Sequence, residues 1–108
     1  DLKSIAHITG GGLIGNLKRI IPENIKINLF KNSLFNFNKE LFSLLQEASN
    51  LSDEEMLNTF NCGNGMVIVI SENELEKTIK SLTKLKIGFK IIGSCSNLKK
   101  GDSSVNIY

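Results

Sequence analysis

Apolar positions along this chain switch several times between short continuous runs and a helical period of three to four. Residues 5–8 form an apolar run that predicts a buried strand. Leu13, Leu17, Ile20 and Ile21 then recur at helical spacing until Pro22 stops the helix. Ile25, Ile27 and Leu29 alternate with Lys26 and Asn28, the pattern of a half-buried strand over 25–29. Residues 30–38 show no period and read as a loop with apolar anchors. A helix is predicted over 39–49, with Leu41, Leu45 and Ala48 on one face, Phe42 and Leu44 flanking them, and Asn50 suited to its end.

Two stretches carry the signature of a capping box, Ser52-Asp53-Glu54-Glu55 and Ser71-Glu72-Asn73-Glu74. The first opens a short helix through Met56, Leu57 and Phe60, which residues 61–65 break sharply before an apolar strand over 66–70. The second opens an amphipathic helix with Leu75, Ile79, Leu82 and Leu85 as its stripe, ended by Gly88. A strand is expected over 89–92, a turn over 99–102 and a last strand over 105–107. The order predicts an α+β (mixed α/β) fold, a mixed β-sheet with packed helices in one domain over 1–108. No internal repeat, linker or low-complexity stretch interrupts it.

Composition removes several functions. Hydrophobic residues make up 41% and charged residues 22% of the 108, ordinary values for a globular domain with room for one core. No apolar run approaches a membrane span of about 20 residues, and Asp1-Leu2-Lys3-Ser4-Ile5 is no signal peptide. Thirteen basic residues face eleven acidic ones and are scattered, which argues against nucleic acid. The abundance of Lys, Asn and Ile resembles the imprint of an AT-rich genome, so Lys99-Lys100 needs no ligand. Cys62 and Cys95 belong to no CxxC pair, so no metal site is expected. Both read as buried thiols of a reducing compartment, which makes the cytoplasm the expected location.

The candidate chemistry lies in two glycine-bearing stretches. Gly10-Gly11-Gly12 joins the first strand to the first helix, where glycine permits positive φ and the first helical amides lack internal partners. Such a junction can hold an anion on backbone amides alone; the plainer alternative is a tight turn with close packing. Gly10-x-Gly12-x-x-Gly15 matches a dinucleotide fingerprint literally, yet no acidic residue follows the second strand to hold a ribose. A P-loop is excluded because Asn16 and Leu17 stand where Lys and Ser/Thr are needed. The second stretch, Asn61-Cys62-Gly63-Asn64-Gly65-Met66, offers asparagines to a ligand, or else forms a helix C-terminal turn. The two turns flank strands expected in one sheet. His7, the lone histidine, can donate to a phosphate, act as acid or base, or serve structure only. Cys62 lacks a partner base for a nucleophilic role, and Glu54 and Glu55 read as helix-start charges.

Taken together, Ala6-His7-Ile8-Thr9-Gly10-Gly11-Gly12-Leu13, Asn16-Leu17, Arg19-Ile20, Pro22, Leu45-Gln46-Glu47-Ala48, Glu55-Met56, Thr59-Phe60-Asn61-Cys62-Gly63 and Gly65-Met66 resemble the C-terminal domain of aminoimidazole ribonucleotide synthetases. These are the phosphoribosylformylglycinamidine cyclo-ligases of purine biosynthesis, and the resemblance runs in order from about Ile5 to Ile92. It implies ATP-dependent ring closure of formylglycinamidine ribonucleotide, with ATP and Mg2+ as cofactors and a cytoplasmic homodimer. It implies that glycine-loop amides hold the substrate phosphate or developing charge, which makes Thr9, Gly10, Gly11, Gly12, Asn61, Gly63 and Gly65 the candidate substrate- or phosphate-binding residues, with His7 beside them as the candidate catalytic residue. The family's N-terminal ATP-binding and dimerisation domain has no counterpart in these residues, so the chain alone is expected to be inactive; the alternative is a non-enzymatic remnant with weak phosphate binding. Departures from the family pattern are Lys18 for a common proline, Leu34 for tryptophan, Ser49 for glycine and Asn64 for an aliphatic residue. Only Asn64 touches a ligand loop.

Overall fold

The first strand, β1 (Leu2–His7), runs antiparallel beside β3 (Met66–Ile70), with Ile5 opposite Ile68 and His7 opposite Met66. This computed structural model describes residues 1–35 and 38–108. Between the two strands lie α1 (Gly12–Ile20), β2 (Ile25–Leu29), α2 (Lys31–Leu34), α3 (Lys39–Ser49) and α4 (Asp53–Thr59). After β3 come a 3-10 turn (Glu72–Glu74), α5 (Leu75–Lys84), β4 (Gly93–Asn97) and β5 (Val105–Ile107). The expected mixed sheet is the three-stranded β4-β2-β5, with β2 antiparallel to β4 and parallel to β5. The pair β1-β3 stands as a separate sheet. Among the described residues no helix is long and apolar enough to cross a membrane.

The core forms where α1 meets α4. Leu13 and Leu17 of α1 and Met56 and Leu57 of α4 are almost wholly buried, closed by Leu29, Leu34 and Cys62. Removing each such side chain from water stabilises the fold by about 1.5–3 kcal/mol. Ala6 and Val67 bring the inner face of β1-β3 onto this core, while Phe42, Leu45 and Phe60 pack at its rim. The outer face of β1-β3 differs: Ile5, Met66 and Ile68 are 51%, 60% and 39% exposed.

The first capping box forms fully. Glu55 N–H donates to Ser52 Oγ at 3.2 Å, and Ser52 N–H donates to Glu55 Oε2 at 2.7 Å. That backbone bond holds the Glu55 carboxyl below its usual range. The second does not form, because the first turn tightens to a 3-10 geometry in which Glu74 N–H bonds the Ser71 carbonyl at 3.0 Å. Nor does Gly88 end α5. Lys86 takes the left-handed position (φ 56°), its N–H bonding Thr83 O while Ile87 N–H bonds Leu82 O, a Schellman closure two residues earlier.

Within 30–38, expected as a loop, α2 forms one helical turn; residues 36 and 37 of that stretch lie outside the described residues. The strand expected over 89–92 is displaced to Gly93–Asn97. Phe89 and Ile91 carry the apolar alternation but stay exposed, and the edge of β2 is taken by the following residues. Gly93 makes this approach possible, since a Cβ there would lie 2.3 Å from Asn28 O. The turn at 99–102 is as expected: Asp102 N–H bonds Lys99 O, and the Asp102 carboxylate pairs with Lys26 at 2.8 Å.

Candidate functional site

Antiparallel pairing of β1 with β3 brings the two glycine-bearing turns together, since one follows β1 and the other precedes β3. Ile8 N–H donates to Gly65 O at 2.9 Å, and Leu13 N–H donates to Phe60 O at 3.1 Å, so the start of α1 is stitched to the end of α4. The junction leaves a cleft of about 310 Å³ lined by Ile8, Thr9, Gly10, Phe42, Thr59, Phe60 and Asn61. Phe42 and Phe60 meet there with ring centroids 6.3 Å apart.

The three consecutive glycines have different reasons to be glycine. Gly12 has φ +68°, and a Cβ on it would lie 2.4 Å from Leu57 O and 2.5 Å from Asn58 C, so it is demanded by the close approach of α1 to α4. Gly11 has φ +95° and forms the N-cap of α1. At Gly10 a Cβ would meet nothing within 4 Å. The close-packing reading therefore holds for Gly12 and leaves Gly10 free for another use.

The expectation that the first helical amides stand unpartnered is corrected at two positions. Gly12 N–H closes onto Thr9 O at 3.2 Å, and Leu13 N–H is the one bonded to Phe60 O. The amides of Gly10 and Gly11 take no part in this network.

The second loop is built on consecutive left-handed residues, Cys62 (φ 51°) and Gly63 (φ 88°). Asn61 Oδ1 accepts from Gly63 N–H at 2.8 Å, and Asn61 O accepts from Asn64 N–H at 2.9 Å. Asn64 is buried, and its Nδ2 donates to Leu34 O at 2.9 Å and Asn61 O at 3.1 Å. The departure from the family pattern at this position is thus an internal tether. Cys62 is wholly buried, and desolvation first, with the Asp53 charge second, pushes its thiol up to about 11. It is an inert thiol at neutral pH, whereas Cys95, also expected to be buried, is exposed on β4.

Of the predicted site residues, Thr9, Gly10 and Asn61 share the cleft, Gly11 and Gly12 shape the turn beside it, and Gly63 and Gly65 fix the opposing loop. His7 is exposed on β1, on the face opposite Ala6, with Met66 as its cross-strand neighbour, and does not line the cleft. Sequence reasoning missed Phe42, Thr59 and Phe60 as cleft residues, and above all Asn16. Its Nδ2 reaches the carbonyls of Gly12 (2.7 Å), Thr9 (3.1 Å) and Gly10 (3.3 Å). The available signal was an amide side chain one helical turn after Gly12, which the sequence offers as a misfit to a P-loop and as part of the family resemblance but not as a partner of the loop's carbonyls. The cleft's lining holds amides and hydroxyls but no carboxylate, a donor set that fits an anionic oxygen and not a divalent cation.

The chain is 40% identical over 108 residues to the phosphoribosylformylglycinamidine cyclo-ligase of Finegoldia magna and 36% over 107 residues to that of Citrifermentans bemidjiense. In both cases 99% of the chain and 30% of the relative are covered. It is 37% identical over 106 residues to the human trifunctional purine biosynthetic protein adenosine-3, covering 98% of the chain and 10% of that protein. The chain thus spans about a third or less of the length of these relatives. The family described as AIR synthase related protein, C-terminal domain, matches residues 1–106, and the chain belongs to that family.

Proposed function

We propose that this chain supplies the phosphate-binding wall of a phosphoribosylformylglycinamidine cyclo-ligase site, acting in ATP-dependent closure of formylglycinamidine ribonucleotide to aminoimidazole ribonucleotide. The observation that carries this reading is the stitching of the triglycine loop to the Asn61–Gly65 loop around one cleft that contains Thr9, Gly10 and Asn61. A cleft of about 310 Å³ is at the small end for a ligand pocket, enough for a sugar phosphate and too small for the whole reacting assembly. ATP with Mg2+, held outside these residues, would supply the phosphoryl group that activates the formyl amide oxygen. The internal nitrogen then attacks the activated carbon, the C–N bond forms, and the oxygen leaves as inorganic phosphate with loss of a proton from nitrogen.

In this scheme the chain's residues bind and orient. Thr9 Oγ1, Asn61 Nδ2 and the loop amides are neutral donors, and the Asn61 amide is already oriented by its Oδ1 accepting from Gly63 N–H, so it stabilises anionic oxygen without reorganising during the step. Phe42 and Phe60 exclude water from one side. ATP, Mg2+ and the partner subunit of a cytoplasmic homodimer are contributed from outside these residues. Calorimetric titration of the 108-residue chain with ribose 5-phosphate and with ADP tests the reading: a saturable signal with the sugar phosphate and little with ADP is expected. Failure of both to bind overturns it, as does ring closure catalysed by this chain alone.

A further inference from the structure

We infer that Asn16 is a positioning residue of the triglycine loop, whose side-chain amide turns the Gly10 and Gly11 N–H groups outward to receive phosphate. The inference rests on the phosphate-binding role proposed above. Asn16 lies within α1 and is 6% exposed, one of two buried polar side chains among the described residues. Its Nδ2 draws the Thr9, Gly10 and Gly12 carbonyls to itself at 3.1, 3.3 and 2.7 Å.

A trans peptide is planar, and the C=O of one residue points opposite to the N–H of the next. Turning the Thr9 carbonyl toward Asn16 therefore turns the Gly10 N–H away from it. The same holds for the Gly10 carbonyl and the Gly11 N–H. Neither amide is drawn into the helix start, where the Gly12 and Leu13 N–H groups are already committed to Thr9 O and Phe60 O. Two successive amides presented outward form a concave nest that suits a phosphate oxygen.

The clamp has a physical necessity. Three consecutive glycines resist peptide-plane rotation only weakly because no Cβ blocks it, so the loop that best approaches a ligand is also the one least able to hold its amides in place. Asn16 supplies the missing constraint from the far side of the peptide planes, without occupying the cleft. Gln at this position would overshoot the three carbonyls, and Asp has no hydrogen to give them when ionised.

The test uses the 108-residue chain with ribose 5-phosphate as probe and Asn16→Leu, which keeps the volume and removes the donor. Ser4→Ala serves as comparator, since it removes a part-buried hydroxyl that bonds the Ile20 carbonyl at the far end of α1, away from the cleft. With all proteins held well below their melting temperatures, Asn16→Leu is expected to weaken binding roughly tenfold or more, as loss of an orienting partner does elsewhere, and Ser4→Ala by less than about twofold. The Gly10 and Gly11 amide resonances should shift and exchange faster with solvent in Asn16→Leu only, while those of β1 and β3 stay in place. Unchanged affinity in Asn16→Leu overturns the inference. If the wild-type chain binds no sugar phosphate, the functional reading fails by itself. The positioning role is then decided by the amide spectra, and unchanged Gly10 and Gly11 signals in Asn16→Leu overturn it. Should that variant not fold, Asn16→Ser, too short to reach all three carbonyls, is read by the same criteria.

Discussion

The two loops that meet at the cleft are held by opposite means. The triglycine loop is gripped locally, by an asparagine on the helix it opens into, and retains Gly10 with open space around it. The Asn61–Gly65 loop is gripped at long range, by Asn64 reaching Leu34 O across 30 residues of sequence, and its Asn61 acceptors are all bonded internally. The difference assigns labour. Internal satisfaction makes the second loop a rigid wall, whereas the first combines backbone freedom with a clamp, the combination a ligand-receiving loop requires.

The largest test of this contrast is Gly12→Ala. Its Cβ would meet the backbone of α4 at Leu57, Asn58 and Thr59, all within 2.7 Å, and the residue would sit at φ +68°. No flexible side chain can yield, so α1 must move off α4 and the most buried contact of the core opens. We expect a loss of about 3–4 kcal/mol, a large share of a small domain's stability, read as a fall in the urea midpoint. A wild-type midpoint would show that the glycine is not required by packing.

Next in size is Asn64→Leu, which leaves the Leu34 and Asn61 carbonyls without their side-chain donor. The cost is about 2–3 kcal/mol, and a second readout follows from Cys62. In the wild type, at about pH 8, iodoacetamide should modify exposed Cys95 and spare Cys62, whose thiol is buried and raised to about 11. Asn64→Leu should make Cys62 reactive through local opening of the loop, while Asn16→Leu should not. Equal reactivity of Cys62 in the two variants would erase the distinction between the loops.

Smaller again is the effect of the capping box that starts α4 and so places Thr59 and Phe60. Ser52→Ala removes an N-cap and should lower stability by about 1 kcal/mol. Because the folded Glu55 carboxyl lies below its ordinary value of 4.5, its contribution is complete above pH 4.5 and is lost as pH falls through the lowered folded value. Glu55→Gln, which removes the titrating carboxylate that accepts from the Ser52 N–H, should therefore flatten the acid limb of the stability profile below pH 4.5, whereas Ser52→Ala keeps that N–H and should leave most of the limb in place. An acid limb in Glu55→Gln as steep as the wild type's would detach Glu55 from the cap.

How much of this was legible follows from what kind of force fixes each feature. Local chemistry read correctly: the Ser52 box, the stop at Pro22 and the alternation through β2 each depend on neighbours in sequence. The juxtaposition of the two glycine turns was also accessible, once their strands were expected in one sheet. Features decided by partners distant in sequence were not. Residues 89–92 carry a strand-like pattern, yet the edge of β2 is occupied by Gly93–Asn97, because only a glycine tolerates the approach to Asn28 and the next four residues pair in register. The second capping box has the right letters, but the chain leaving β3 enters a 3-10 turn instead. Asn16 looked like a failed phosphate lysine, since its acceptors are main-chain atoms that no side-chain pattern reveals.

The smallest expected change in stability is at Gly10, and it separates the loop's structure from its use most cleanly. Its φ lies outside the left-handed region and an added Cβ meets nothing within 4 Å, so Gly10→Ala is compatible with the native backbone. The substitution reduces the freedom of the unfolded chain and should leave the melting temperature unchanged or raise stability by about 0.4–1 kcal/mol. The added methyl nevertheless sits on a residue that lines the cleft. If phosphate is received by the neighbouring amides, sugar phosphate affinity must fall while stability does not. A variant as stable as wild type that binds ribose 5-phosphate equally well would mean that Gly10 does not face the ligand, and would move recognition to the Asn61 side of the cleft.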